Sequence, residues 1–307
     1  MKKGSISDRT LLLGYASLFI VVSIFLLLRL SPEFYSFFNF LPLFIIGLLT
    51  PISITFSSFV ISSVLISFIL ASKFSEYFFN STYIIFLNFV ICLIFLYLFD
   101  KSKKKSVNIW GNTLSYFTLI ISIISIPIFL FFLSDDITAS IENFKKPYVD
   151  YFQQKNPENS KSLNDIFNFA LIIFPSLNLI TQLFLVIGNF FLAYVILKKM
   201  KFKIKTIEKL NRIELPNWYF FSFFIFLISC FFTKNNAFEI FINLAFIFGS
   251  LFFIKGMCIF TSFVEKIKIH VALKFLIIFL LFIFLGYVLI LILFFIGIYD
   301  KFKKILT

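Results

Sequence analysis

Apolar runs of near-bilayer length alternate with short polar interruptions along almost the whole chain. Leu11–Leu28, Ile84–Phe99 and Phe275–Ile298 each approach the ~20 residues that span a hydrocarbon core. Segmenting on such runs predicts helices at Thr10–Leu30, Phe37–Leu49, Ile52–Leu70, Tyr83–Phe99 and Ile109–Leu133. Further helices are predicted at Ile166–Leu197, Trp218–Phe232, Phe238–Val264 and Phe275–Ile298. Pro51 lacks an N–H and its ring crowds the preceding turn, so the Phe37–Leu70 region reads as two shorter helices or a hairpin dipping into the membrane. Pro127 and Pro175 are expected to kink their helices. The fold class is therefore all-α: a polytopic transmembrane helix bundle of about nine helices (eight to ten), with residues 1–307 forming a single integral membrane domain.

One polar stretch is too long for a plain connection. Residues 134–165 run for about 30 positions, unusual without structure of their own. Ile137, Ile141, Phe144, Tyr148 and Phe152 recur at steps of three and four, one face of a helix restarted at Pro147. An amphipathic segment lying on the outer membrane surface fits that pattern, and a lid over a substrate entrance is the sharper alternative.

Composition agrees: 60% of residues are hydrophobic and 14% charged, against about 45–50% and 25% in soluble chains. A soluble enzyme on an anchor is excluded, because no charged, non-repetitive stretch is long enough for a domain. Phe occurs 52 times, alongside 25 Lys to 3 Arg, a bias that A+T-rich coding produces; most Phe is read as generic apolar filler.

The net charge of +13 changes meaning once the chain is placed in a membrane. Basic residues gather at Lys101–Lys105 and in the 198–215 loop (Lys198, Lys199, Lys201, Lys203, Lys205, Lys209, Arg212), while residues 134–165 carry six acidic residues against four lysines. Short basic loops stay inside, so the basic loop and the N-terminus are expected in the cytoplasm and residues 134–165 outside. This predicts a multi-pass protein of the bacterial cytoplasmic (inner) membrane whose surroundings are the lipid bilayer, with no nucleic acid as partner. Nine crossings would put the basic tail Asp300–Thr307 outside, which the charge rule disfavours.

Polar residues inside apolar helices are the functional candidates. Asn178, Gln182 and Asn189 stand four and seven apart, on one helical face. They either hydrogen-bond a substrate within the bundle or join helices to one another. Hydroxyls on Ile52–Leu70 form two opposed arcs, Ser53/Ser57/Ser63/Ser67 and Thr55/Ser58/Ser62, read as a helix wedged between two neighbours. Lys255 is the one charge well inside a predicted crossing. It either snorkels to the interface or serves as counter-ion or anionic-substrate ligand.

No enzyme is predicted. His270 is solitary, Cys92, Cys230 and Cys258 lack metal spacing, no apolar segment pairs carboxylates, and no GxxxxGK[ST] occurs. Neither cofactor nor metal is expected.

Leu41-Pro42-Leu43 with Gly47, the helix Pro175–Leu197, Arg212-Ile213-Glu214-Leu215-Pro216-Asn217-Trp218, Lys255-Gly256 and Gly297-Ile298-Tyr299-Asp300-Lys301-Phe302 follow one another in an order that resembles the YybS-like family of bacterial membrane proteins of unknown function. Phe302 and Lys303–Lys304 stand where that family tends to have Trp and a terminal Arg. The N-terminal half is similar to substrate-binding subunits of energy-coupling-factor vitamin transporters, at fold level. The family carries no established activity; the Asn178/Gln182/Asn189 face, the broken helix pair around Pro51, Lys255 and that fold-level likeness together point to a transport-related protein, a substrate-binding or permease-like bundle working with a cytoplasmic ATPase partner. The alternative is a structural or assembly factor of the cell envelope, bound to an envelope protein and lacking a small-molecule site.

Overall fold

The computed structural model describes residues 6–73, 78–104, 108–129, 139, 142–143, 145–151, 157–202, 204, 213–267 and 270–306. Its helices in chain order are α1 (Ile6–Leu30), α2 (Pro32–Phe38), α3 (Leu41–Leu49), α4 (Ile52–Lys73) and α5 (Phe78–Lys104). They continue with α6 (Ile109–Ile128), α7 (Pro157–Lys199), α8 (Asn217–Phe232), α9 (Asn236–Lys266) and α10 (Val271–Leu306). No strand occurs among the described residues.

Six stretches among them are long and apolar enough to cross a bilayer: Asp8–Arg29, Ile52–Ile69, Ile109–Pro127, Lys161–Lys199, Asn236–Lys266 and Ile283–Leu306. Phe34–Leu49 and Asn217–Phe232 are apolar but shorter. The protein is an all-α polytopic membrane protein, as the apolar pattern requires.

The helices gather into two compact units, residues 1–105 with 182–207 and residues 106–181 with 208–307. In the first, the predicted break at Pro51 separates α3 from α4, and a second break at Asn39-Phe40 separates α2 from α3. Ser31 starts α2, accepting a hydrogen bond from Phe34 N–H at 3.1 Å with Pro32 in the first turn. Phe44, Phe95 and Phe190 pack with ring centroids 5.3–5.5 Å apart at the centre of this unit. Of the two hydroxyl arcs on α4, Thr55, Ser58 and Ser62 are buried, and Ser62 donates to Ser17 O of α1. Ser53 is exposed, and Ser57 and Ser63 are half-buried and bond their own helix, so one of the two arcs is buried, while α4 packs against both α1 and α5, the latter through Phe59 and Phe89.

The second unit is built on α8 and α9 packed antiparallel. Tyr219 stacks on Phe248 at 4.5 Å and donates to its carbonyl, and Phe226 meets Phe241 lower down. Helix α7 begins nine residues before the predicted Ile166, so residues 157–165 are helix rather than loop. Residues 145–151 are also helical, with Tyr148 and Tyr151 exposed and Lys145 donating to Asn168 Oδ1 of α7 at 3.2 Å. Ile137, Ile141, Phe144 and Phe152, which carry the amphipathic pattern of residues 134–165, lie outside the described residues. So do Lys203, Lys205, Lys209 and Arg212 of the basic 198–215 loop, whereas Lys198, Lys199 and Lys201 are described and Lys199 and Lys201 are exposed.

Helix α10 is not the straight crossing the sequence suggests. Gly286 sits at φ 44°, a conformation only glycine adopts freely, and breaks the helical dihedrals there. Past the break, Gly249, Phe252 and Lys255 of α9 meet Phe294, Gly297 and Asp300 of α10 in equal steps of three. These stretches therefore run in the same direction, and the chain returns between them through residues 271–285.

Candidate functional site

Two glycines bring α9 and α10 together. A Cβ on Gly256 would run into the Leu293 carbonyl, and one on Gly297 into the Phe252 carbonyl, so the backbones touch only because both side chains are absent. Close approach through small residues is how membrane helices pack tightly. Lys255 precedes Gly256, and Asp300 lies three residues past Gly297; the contact between the glycines places the two charges face to face.

Lys255 Nζ lies 2.7 Å from Asp300 Oδ2, with side chains 3% and 34% exposed. The lysine charge is met by a carboxylate of α10. The ammonium forms an ion pair with one oxygen, and among the described residues no well-aligned hydrogen-bond acceptor completes it. Asp300 is also 3.9 Å from Lys304, one helical turn on. Lys304 donates to Glu214 Oε1 at 2.7 Å, and Lys301 to Asn217 Oδ1 at 2.6 Å. Two lysines and two carboxylates thus form a chain of contacts from the buried Lys255 through Asp300 and Lys304 to the exposed Glu214.

Glu214 is held from behind by Asn108. Asn108 adopts φ 51° ahead of α6, accepts from Gly111 N–H at 3.3 Å and from Glu214 N–H at 3.2 Å, and donates to the Glu214 carbonyl. The hydrogen bond from Lys304 holds the Glu214 carboxyl below the usual glutamate range, burial opposes it, and the nearby Lys304, Lys255 and Lys301 charges add to the lowering.

The amide face on α7 divides between the two units. Asn178 is half-buried in the second, and Gln182 and Asn189 belong to the first. Gln182 is half-buried with a buried Oε1 that no donor reaches. Asn189 is buried and donates to Phe37 O and Leu185 O, both at 2.8 Å, while its own Oδ1 has no donor. Of the three, Asn189 alone lines a hollow of about 540 Å³ between α2 and α7. Joining helices is what this amide visibly does.

Sequence reasoning passed over Asn243. Pro175 lies inside the continuous helix α7, and the Ser176 N–H and Ile172 carbonyl on either side of it meet one side chain: Asn243 Oδ1 accepts from Ser176 N at 2.9 Å and Nδ2 donates to Ile172 O at 2.7 Å. An asparagine deep in the apolar Phe238–Val264 run was the available signal. Asp300, Glu214 and Asn217 were missed as site residues because the apolar run ends at Ile298 and the loop before α8 carries no periodicity. No group of three or more potential metal ligands occurs among the described residues.

No curated protein and no solved structure matches the chain. The family described as predicted membrane protein (DUF2232) matches residues 18–301, a stretch that holds Asn108, Glu214, Asn217, Asn243, Lys255, Asp300 and Lys301, and the chain belongs to that family.

Proposed function

We propose that this membrane protein is transport-related, a substrate-binding or permease-like bundle, and that Lys255 and Asp300 are its working ionic element. The observation that carries the reading is a lysine buried among apolar helices and neutralised by one part-exposed carboxylate at 2.7 Å. A charge kept at membrane depth is costly and marks substrate or ion paths. Lys304 and Glu214 extend the pair towards an exposed edge, which suits a group that exchanges partners during a cycle. The amides Asn178, Gln182 and Asn189 supply polar groups along α7 that a substrate could use.

The same proposal places the chain in the bacterial cytoplasmic membrane with its N-terminus and the 198–215 loop in the cytoplasm, where an ATPase partner would dock. Purification in detergent followed by mass spectrometry of co-purifying molecules tests it. A small molecule at near-stoichiometric occupancy supports transport. A stoichiometric envelope protein with no small molecule overturns it in favour of an assembly factor.

A further inference from the structure

The three phenylalanines of α2 and one stretch of α7 face each other without filling the space between them. Phe34, Phe37 and Phe38 stand at i, i+3 and i+4, one face of a seven-residue helix, with the Phe34 and Phe38 rings 6.0 Å apart. Opposite them, Phe184, Gly188 and Asn189 belong to one face of α7. Two features keep the walls from closing. Asn189 ties the end of α2 to α7 through its 2.8 Å bond to Phe37 O, fixing their separation. Gly188 contributes no side chain, and a Cβ built there meets nothing within 4 Å.

The chemistry of the lining selects the occupant. Asn189 is its one polar side chain, both its N–H protons are spent on carbonyls, and its oxygen is buried. A stable buried water needs two to four polar partners, which this lining does not provide. Left empty, the phenyl rings would forfeit dispersion contacts across the hollow. Its volume of about 540 Å³ falls in the range of about 300–1,000 Å³ that small-molecule sites use. The unit's spanning helices α1 and α4 expose apolar side chains such as Tyr15, Leu18, Val64 and Phe68, so hydrocarbon is the surrounding medium.

We infer that the hollow between α2 and α7 is a binding site for the hydrocarbon chain of a membrane amphiphile. The site is independent of the Lys255–Asp300 pair and stands whether or not that pair serves transport.

The test is photo-crosslinking of the full chain in phosphatidylcholine vesicles, with palmitate carrying a diazirine near its chain end as probe. Peptides are mapped by mass spectrometry for wild type, Gly188→Ala, Gly188→Leu and Gly188→Trp. A Cβ at Gly188 meets nothing within 4 Å, so Gly188→Ala adds its side chain without clash, and Gly188→Leu carries the reading should Gly188→Trp not be recovered folded. The expected result is saturable labelling of the peptides holding Phe34–Phe38 and Phe184–Leu192. Filling the hollow should lower that labelling about tenfold, equivalent to ~1.4 kcal/mol. Labelling of the lipid-facing α1 peptide should stay unchanged. Competition by unlabelled palmitate, phospholipid or a long isoprenoid alcohol then identifies the source of the chain. Labelling that is no higher than on α1, that no competitor reduces, or that the Gly188 variants leave unchanged means annular lipid only and overturns the inference.

Discussion

Asn243 reaches from α9 to α7 and gives a hydrogen-bond acceptor to Ser176, the residue that follows Pro175. Its carboxamide lies against α7 beside Pro175, receiving the Ser176 N–H and returning an N–H to Ile172 O, the carbonyl four residues earlier. In a membrane no water is at hand to satisfy those groups, so a neighbouring side chain must.

Asn243→Leu keeps the branched shape at a larger volume and removes the bonds to Ser176 and Ile172, together with the one to Glu239 O of its own helix. Each orphaned backbone group costs about 1–3 kcal/mol, so the thermal midpoint in detergent should fall clearly. Pro175→Ala lets the helix restore its own bond, and the double variant should lose less than the sum of the two single ones. Additive losses in that cycle would show that Asn243 does not compensate for Pro175.

Gly256 and Gly297 answer to backbone atoms rather than to flexible side chains. Gly256→Ala and Gly297→Ala should each separate α9 from α10 at a cost of about 1–3 kcal/mol or more. The separation should show as increased cross-linker reach between cysteines placed on the two helices. Variants as stable as wild type would contradict the close contact.

Much of the helix plan was legible in the sequence, because a bilayer-length apolar run stopped by proline or charge leaves the backbone no alternative to helix. The α3/α4 break at Pro51 follows from the missing N–H. The site was less legible. Lys255 looked solitary because Asp300 follows the apolar run, where a segmentation by hydropathy starts a tail; helix α10 instead continues to Leu306. Their pairing also depends on α9 and the end of α10 running parallel, which the Gly286 break permits and no local pattern announces. The seven-residue step from Gln182 to Asn189 does mark one face of α7. The step from Asn178 to Gln182, however, passes from one unit to the other, so a shared face does not mean shared surroundings.

The tail ends beside the loop that opens α8. With Lys304 at 2.7 Å from Glu214 and Lys301 at 2.6 Å from Asn217, both segments belong on one side of the membrane. Topology reporters inserted in the 198–215 loop and fused at Thr307 should therefore give the same sign, the result a cytoplasmic bias of lysines favours. Opposite signs would refute this arrangement of α10.

Glu214 should stay ionised further into acid than an ordinary glutamate. Its folded value is depressed, so the Glu214–Lys304 bond contributes fully above about pH 4.3 and is lost as pH falls through the lowered value. Infrared difference spectra between wild type and Glu214→Gln give that midpoint directly. A midpoint at or above the usual glutamate value would contradict the role assigned to Lys304.

Removing one partner of the buried pair should cost unequally. Asp300→Asn strands the Lys255 ammonium inside the unit, a loss of about 3 kcal/mol or more. Lys255→Met leaves a part-exposed Asp300 that Lys304 still faces at 3.9 Å, and the thermal midpoint should fall less. Equal losses would mean that Lys255 is not buried at this depth.

That asymmetry makes Lys255→Met the sharpest probe of function. Wild type and Lys255→Met, purified side by side in detergent at matched folded fraction, are to be compared by mass spectrometry for bound small molecules. The ionic reading predicts a near-stoichiometric small molecule on wild type that is absent from Lys255→Met. The same bound molecule at the same occupancy on both proteins would contradict it.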